Sequence, residues 1–106
     1  MTEAFATWHI PLKMEELGHG TNYLAPKFRH FSLYAGETRE VDAYDEYYFL
    51  ITADLEISVK SEFGIYDLSD GTINEQKHEH QGKIIIINKT DSVKQIVFIQ
   101  IIPKHI

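Results

Sequence analysis

The chain has no cysteine, which removes at once a disulfide framework, a thiolate metal site and a cysteine nucleophile. Stability must come from packing or from association with other subunits. Long hydrophobic runs are also missing. None approaches the roughly 18 residues of a membrane span, and the N-terminus, MTEAFATWHIPLKMEEL, lacks the basic segment and apolar core of a secretory signal. A soluble chain with no membrane partner is expected. Positive charge is scarce: 10 Lys and Arg stand against 16 Asp and Glu, a net charge of −6. No basic face is strong enough to hold a phosphate backbone, so direct contact with nucleic acid is not expected. A Gly-x-Ser-x-Gly elbow and a glycine-rich phosphate loop are absent as well.

What is present is the grammar of strands. At 106 residues the chain is one domain. Residues 1–26 form an N-terminal arm interrupted by Pro11, Gly18, Gly20 and Pro26, with one short helix expected to start at Pro11 and to end at Gly18. Residues 27–106 form the β domain. Phe28 to Tyr34 alternates, with Arg29, Phe31 and Leu33 on one face and Phe28, His30, Ser32 and Tyr34 on the other. Arg39 to Asp42 reads as a short edge segment, and Tyr47 to Thr52 as a buried central strand. Leu55 to Lys60 alternates cleanly, Leu55, Ile57 and Val59 inward and Glu56, Ser58 and Lys60 outward. Phe63 to Leu68 and a polar edge strand from Ile73 to His80 follow. The last quarter, KIIIINKTDSVKQIVFIQII, reads as a β-hairpin turning at Asn88 to Ser92.

The fold expected is all-β, an antiparallel, jelly-roll-like β-sandwich of about seven or eight short strands with a short N-terminal arm or helix. Its core should contain Phe49, Ile51, Leu55, Ile57, Val59, Ile85, Ile87, Ile96, Phe98 and Ile102. The terminal strand offers apolar side chains on both faces, so its second face needs a cover, from the arm or from another subunit, and the subunit is favoured because the arm has only enough apolar residues for a patch.

Three groups of residues are candidate sites. His78 and His80 project to one side of a strand with Cα atoms about 6.5 Å apart, near enough to share a metal. Two ligands are not a site, and His30, Glu75 or Glu79 would have to complete it. Cupin sandwiches carry such a His-x-His, followed by a Glu ligand. After His80 this chain reads QGKIIIINK, so the Glu is missing, and Glu75 to Gly82 reads as a solvated, charged edge. The acidic residues Glu37, Glu40, Asp42, Asp45 and Glu46 lack the spacing of a calcium loop. Asp42 with Glu46 and Asp67 with Asp70 are the carboxylate pairs that acid–base chemistry could use. Of the rings Trp8, Tyr34, Tyr44, Tyr47, Tyr48, Phe63 and Tyr66, only Tyr44 and Trp8 fall outside apolar strands. Asn88-Lys89-Thr90 matches a glycosylation acceptor. No catalytic, cofactor or metal site is expected from any of these groups.

Residues 33 to 102, from LYAGETREVDAYDEYYFLITADLEISVKSEFGIYDLSDG to KIIIINKTDSVKQIVFIQI, resemble small β-rich structural proteins of tailed phages and prophages. The shared pattern is an Ala-Gly-Glu turn, a bulky strand, an alternating Asp-Leu-Glu-Ile strand and a terminal apolar-Asn-x-Thr hairpin. The resemblance implies a non-enzymatic virion or assembly protein, such as a capsid decoration, tail or baseplate-associated subunit. It would act as a homo-oligomer, a trimer or ring, touching other virion proteins and assembling in the cytoplasm of a bacterial host. Two alternatives stand beside it: a cupin-like sandwich binding a metal or small ligand, and a carbohydrate-binding or adhesin module.

Overall fold

The computed structural model describes residues 2–54, 56–62, 64–67 and 78–104, the side chain of Asp67 excepted. The chain is mostly β. Helix α1 (Glu3–Glu16) precedes β1 (Lys27–Leu33), β2 (Thr38–Ala53), β3 (Ile57–Ser61), β4 (Gly64–Asp67), β5 (Glu79–Asn88) and β6 (Lys94–Ile101). The six strands form one antiparallel sheet in the order β1-β6-β2-β5-β3-β4.

The terminal hairpin does not form. β5 and β6 both pair with β2, which lies between them. A polar loop between two apolar runs tells that the chain turns, not which strand each run will pair with. Here β2 is 16 residues long: Thr38 to Ala43 pair with β5, Tyr47 to Ala53 with β6, and Tyr48 and Phe49 pair with both. The expected edge segment at Arg39 to Asp42 and the strand at Tyr47 to Thr52 are therefore halves of one strand. Between Ala43 and Tyr48 its register with β5 shifts by a bulge in which Asp45 has φ 62°. Opposite, Gly82 has φ 78°, a conformation that costs a side chain.

The connection from β5 to β6 is an arch laid over the β1–β2 turn, and Asn88 holds it. Fully buried, Asn88 places Nδ2 within 3.2 Å of Leu33 O, 3.0 Å of Tyr34 O and 2.9 Å of Ser92 O. Its Oδ1 accepts from the Thr90 amide and hydroxyl. Glu37 secures the turn beneath, accepting from the Tyr34 amide and from Arg39, and these bonds hold its carboxyl below the usual range. With its amide so engaged, Asn88 is no glycan acceptor in the folded chain.

Alternation along the strands makes two cores, one on each face. The first joins Phe31 and Leu33 of β1, Ala43, Tyr48 and Leu50 of β2, Ile57 and Val59 of β3, Ile84 and Ile86 of β5, and Ile96 and Phe98 of β6. In a flat sheet β1 and β3 would lie about 19 Å apart, four strand spacings. Among the described residues no other layer covers this face, yet Leu33, Ile57, Val59, Ile84, Ile86 and Phe98 are fully buried, so the sheet curls round it. The opposite face carries Tyr47 and Phe49 of β2 with Ile99 and Ile101 of β6, and α1 lies on them through Ala6, Ile10 and Met14. The second face of β6 thus finds its cover within the chain.

Helix α1 begins well before Pro11. Thr2 caps it by accepting from the Phe5 amide, and the periodic Ala6, Ile10 and Met14 bury against the sheet. That burial outweighs the roughly 3 kcal/mol an internal proline costs. The end is as expected: Gly18, at φ 89°, donates to Glu15 O while His19 donates to Met14 O, a Schellman cap.

Several core residues differ from expectation. Ile84 and Ile86 are fully buried, whereas Ile85 and Ile87 are only partly so; Ile101 is buried and Ile102 partly exposed. Four consecutive isoleucines carry no period, so the phase of β5 is invisible in the sequence. Ile51 is also only partly covered, and Phe49 belongs to the α1 face. Ser58, expected in solvent, is fully buried and its Oγ has no hydrogen-bond partner among the described residues. Leu55, Phe63 and most of Ile73 to His80 lie outside the described residues.

Two stability measurements test this arrangement. Ile86→Ala should cost about 2–5 kcal/mol in urea denaturation and Ile87→Ala clearly less; the reverse order would invert the phase of β5. Asn88→Ala should cost about 1–3 kcal/mol by leaving carbonyls of the arch without a donor. A loss within error would mean that the arch does not depend on that amide.

Candidate functional site

The inner, curled face carries polar groups that a purely apolar core would not need. β1 contributes Arg29, in phase with Phe31 and Leu33 and therefore turned inward. Its Nη1 donates to Tyr48 Oη at 3.1 Å and to Gln100 Oε1 at 3.2 Å, and its Cζ stands 5.4 Å from the Phe31 ring centroid. Gln100 in turn donates through Nε2 to Glu46 Oε2 at 2.8 Å. The chain of contacts thus runs from Glu46 through Gln100 to Arg29 and Tyr48. Burial pushes the Tyr48 hydroxyl up in pKa, against the opposing pull of the Arg29 charge.

His80 lies beside this network, directly across from Tyr48 in the β2–β5 pairing. It is fully buried, with Nδ1 2.7 Å from Ser61 Oγ and its ring edge-on to Phe98. His78 lies half-buried against the Tyr66 ring, centroids 5.4 Å apart. Desolvation lowers the His78 pKa and raises that of Tyr66. At Gly82 a Cβ would come 2.5 Å from Glu62 Oε1, so glycine also lets the Glu62 carboxylate approach β5 closely.

The solvated edge expected over Glu75 to Gly82 is corrected for its described part. β5 is an interior strand between β2 and β3, and His80 and Gly82 face the core. His30 is not brought to this pair: it faces outward on β1 and is exposed, because it alternates out of phase with Arg29 and Phe31. Glu79 also turns to the other face, where its carboxylate is 3.6 Å from Lys13 Nζ of α1. Glu75 lies outside the described residues. Among the described residues no group of three or more His, Asp or Glu could hold a metal ion.

The acidic residues from Glu37 to Glu46 disperse. Glu37 pairs with Arg39 at 2.7 Å, Glu40 with Lys83 at 3.2 Å, and Glu46 turns to Gln100, while Asp42 and Asp45 are exposed. The side chains of Asp67 and Asp70 are not described. Tyr47 and Tyr48 are buried, as expected, and Trp8 and Tyr44 are exposed; Tyr34 is exposed as well. These three rings sit on α1, the bulge of β2 and the end of β1, and form no row on one strand.

Arg29, Tyr48, Gln100 and Ser61 were missed as a group. Their signal was a single one, a charged residue on the apolar face of β1; the partners come from strands far apart in sequence. Compared with known proteins, the chain matches no family model, no curated protein and no solved structure.

The lowered His78 pKa makes a pH prediction. The folded chain binds this proton less readily than the unfolded chain, whose imidazole titrates near 6.5. His78 therefore contributes stability that is full above that pH and is lost as pH falls through the folded value. Denaturation midpoints should drop between about pH 7.5 and about pH 5, and drop less in His78→Gln. An equal drop in both would assign the loss to other groups.

Proposed function

We propose that the protein is a non-enzymatic binding module that takes a small anionic ligand, of carboxylate type, at the open end of its curled sheet. The observation that carries this reading is Arg29. It is an inward-facing guanidinium whose Nη1 is committed to neutral acceptors and which has no carboxylate within ion-pair distance among the described residues. A planar fork on an apolar face, with Tyr48 and Gln100 fixing its orientation, suits bidentate recognition of a carboxylate. The strand pairing supports the finer fold reading: β1 with β6, β2 with β5 and β3 with β4 are nested pairs, the pattern of a jelly roll wound from one long hairpin. This is the cupin-like alternative in its metal-free form.

A second reading, a virion structural or assembly subunit, is favoured by the apolar side chains that α1 turns to solvent. In that reading contacts with other copies or other proteins are the function.

Calorimetry with small mono- and dicarboxylates, inorganic phosphate and divalent metal ions, each in a separate arm, tests the first reading. Saturable binding of a carboxylate is expected, weakened at least about tenfold by Arg29→Met and unaffected by Lys83→Met. Binding of none of these probes, or binding indifferent to Arg29→Met, would remove it.

A further inference from the structure

Helix α1 is apolar on two opposite sides. Ala6, Ile10 and Met14 recur at four-residue intervals and face the sheet. Phe5, Trp8 and Leu12, at intervals of three and four, form a second stripe almost diametrically opposite, exposed to 47%, 65% and 50%. A helix apolar on both sides belongs inside a structure, and here one side has no cover among the described residues. We infer that a second copy of this chain covers it, the two α1 helices packing antiparallel across a two-fold axis.

Three observations select that occupant. The stripe is self-complementary: antiparallel helices crossing near Trp8 set Phe5 of each against Leu12 of the other, as an isologous contact requires. The charges favour the same direction. Glu15 and Glu16 close the helix at its C-terminal end, where the macrodipole is negative, and Glu16 is 72% exposed with only a 3.8 Å contact to Lys13. In an antiparallel pair these carboxylates lie at the partner's helix N-terminus, where the macrodipole is positive. Glu3 stands aside, because it lines the groove between α1 and Phe28, Pro26 and Ile99 rather than the stripe. The third observation is area. With aromatic side chains of 150–250 Å² each, the three residues leave about 300 Å² of apolar surface per chain, the size of patch that marks an interaction site. Two such patches make about 600 Å², below the ~1,200 Å² at which specific interfaces begin, which implies a weak, concentration-dependent dimer.

Trp8 is the only tryptophan, so its fluorescence reports the contact directly. Light scattering on size-exclusion fractions should move from the 12.3 kDa chain toward twice that mass as concentration rises, with the Trp8 emission shifting to the blue in step. Trp8→Glu and Leu12→Glu, both on the solvent side, should stay monomeric with unchanged circular dichroism. Because the natural chain has no cysteine, a chain carrying Phe5→Cys mixed with one carrying Leu12→Cys should form a disulfide-linked dimer, and neither alone should. A monomer with concentration-independent emission would overturn the proposal. So would a dimer that survives both Glu variants, a trimer or larger ring, or efficient cross-linking of the Phe5→Cys chain with itself.

Discussion

The structure depends on one strand having to serve two partners. β2 runs for 16 residues, bends at the Asp45 bulge opposite Gly82, and gives one half mainly to β5 and the other to β6. Had it been straight, β5 and β6 would lie in a flat sheet, with the isoleucines of one face open to water. The bend increases local twist, and residues of β1, β2, β3, β5 and β6 share one buried cluster on the concave face. The arch at Asn88 depends on the same geometry, because the β5–β6 connection must cross over the start of β2 rather than turn back beside it.

A sheet that curls around one core still exposes its convex face, and the composition of β2 and β6 leaves that face apolar. Tyr47, Phe49, Ile99 and Ile101 make α1 a structural necessity rather than an appendage. Polar contacts orient the helix: His19 Nε2 lies 3.0 Å from Tyr47 Oη, and Lys13 approaches Glu79 of β5. The order of construction is then inner core, curled sheet, helix, and last the solvent side of that helix, whose aromatic stripe the described residues do not bury.

The inner face combines two demands that pull against each other. Its rim holds Arg29, Tyr48, Gln100 and Glu46 in one hydrogen-bonded series, while Phe98, Phe31 and Ile96 beside them exclude water. Low polarity strengthens every bond in such a series and makes an unmatched charge costly. Ser58 of β3, buried and without a hydrogen-bond partner among the described residues, shows that the chain tolerates some of that cost elsewhere in the sheet.

Much of this was written in local sequence. The β-rich class, the phase of β1 with Arg29 beside Phe31 and Leu33, the burial of Ile57 and Val59, the two apolar faces of β6 and the glycine cap of α1 all follow from side-chain alternation and turn chemistry. Those forces act between neighbours a few residues apart. The pairing of β2 with both β5 and β6, the phase of the isoleucine run, the inward turn of His80 and its separation from His30 were decided only by tertiary structure. A strand's hydrogen bonds are satisfied equally well by any antiparallel neighbour. An all-isoleucine run satisfies either face, so only the shape of the assembled sheet chooses among them. The same holds for the site: one inward arginine was legible in β1, but its partners come from strands brought together by curling.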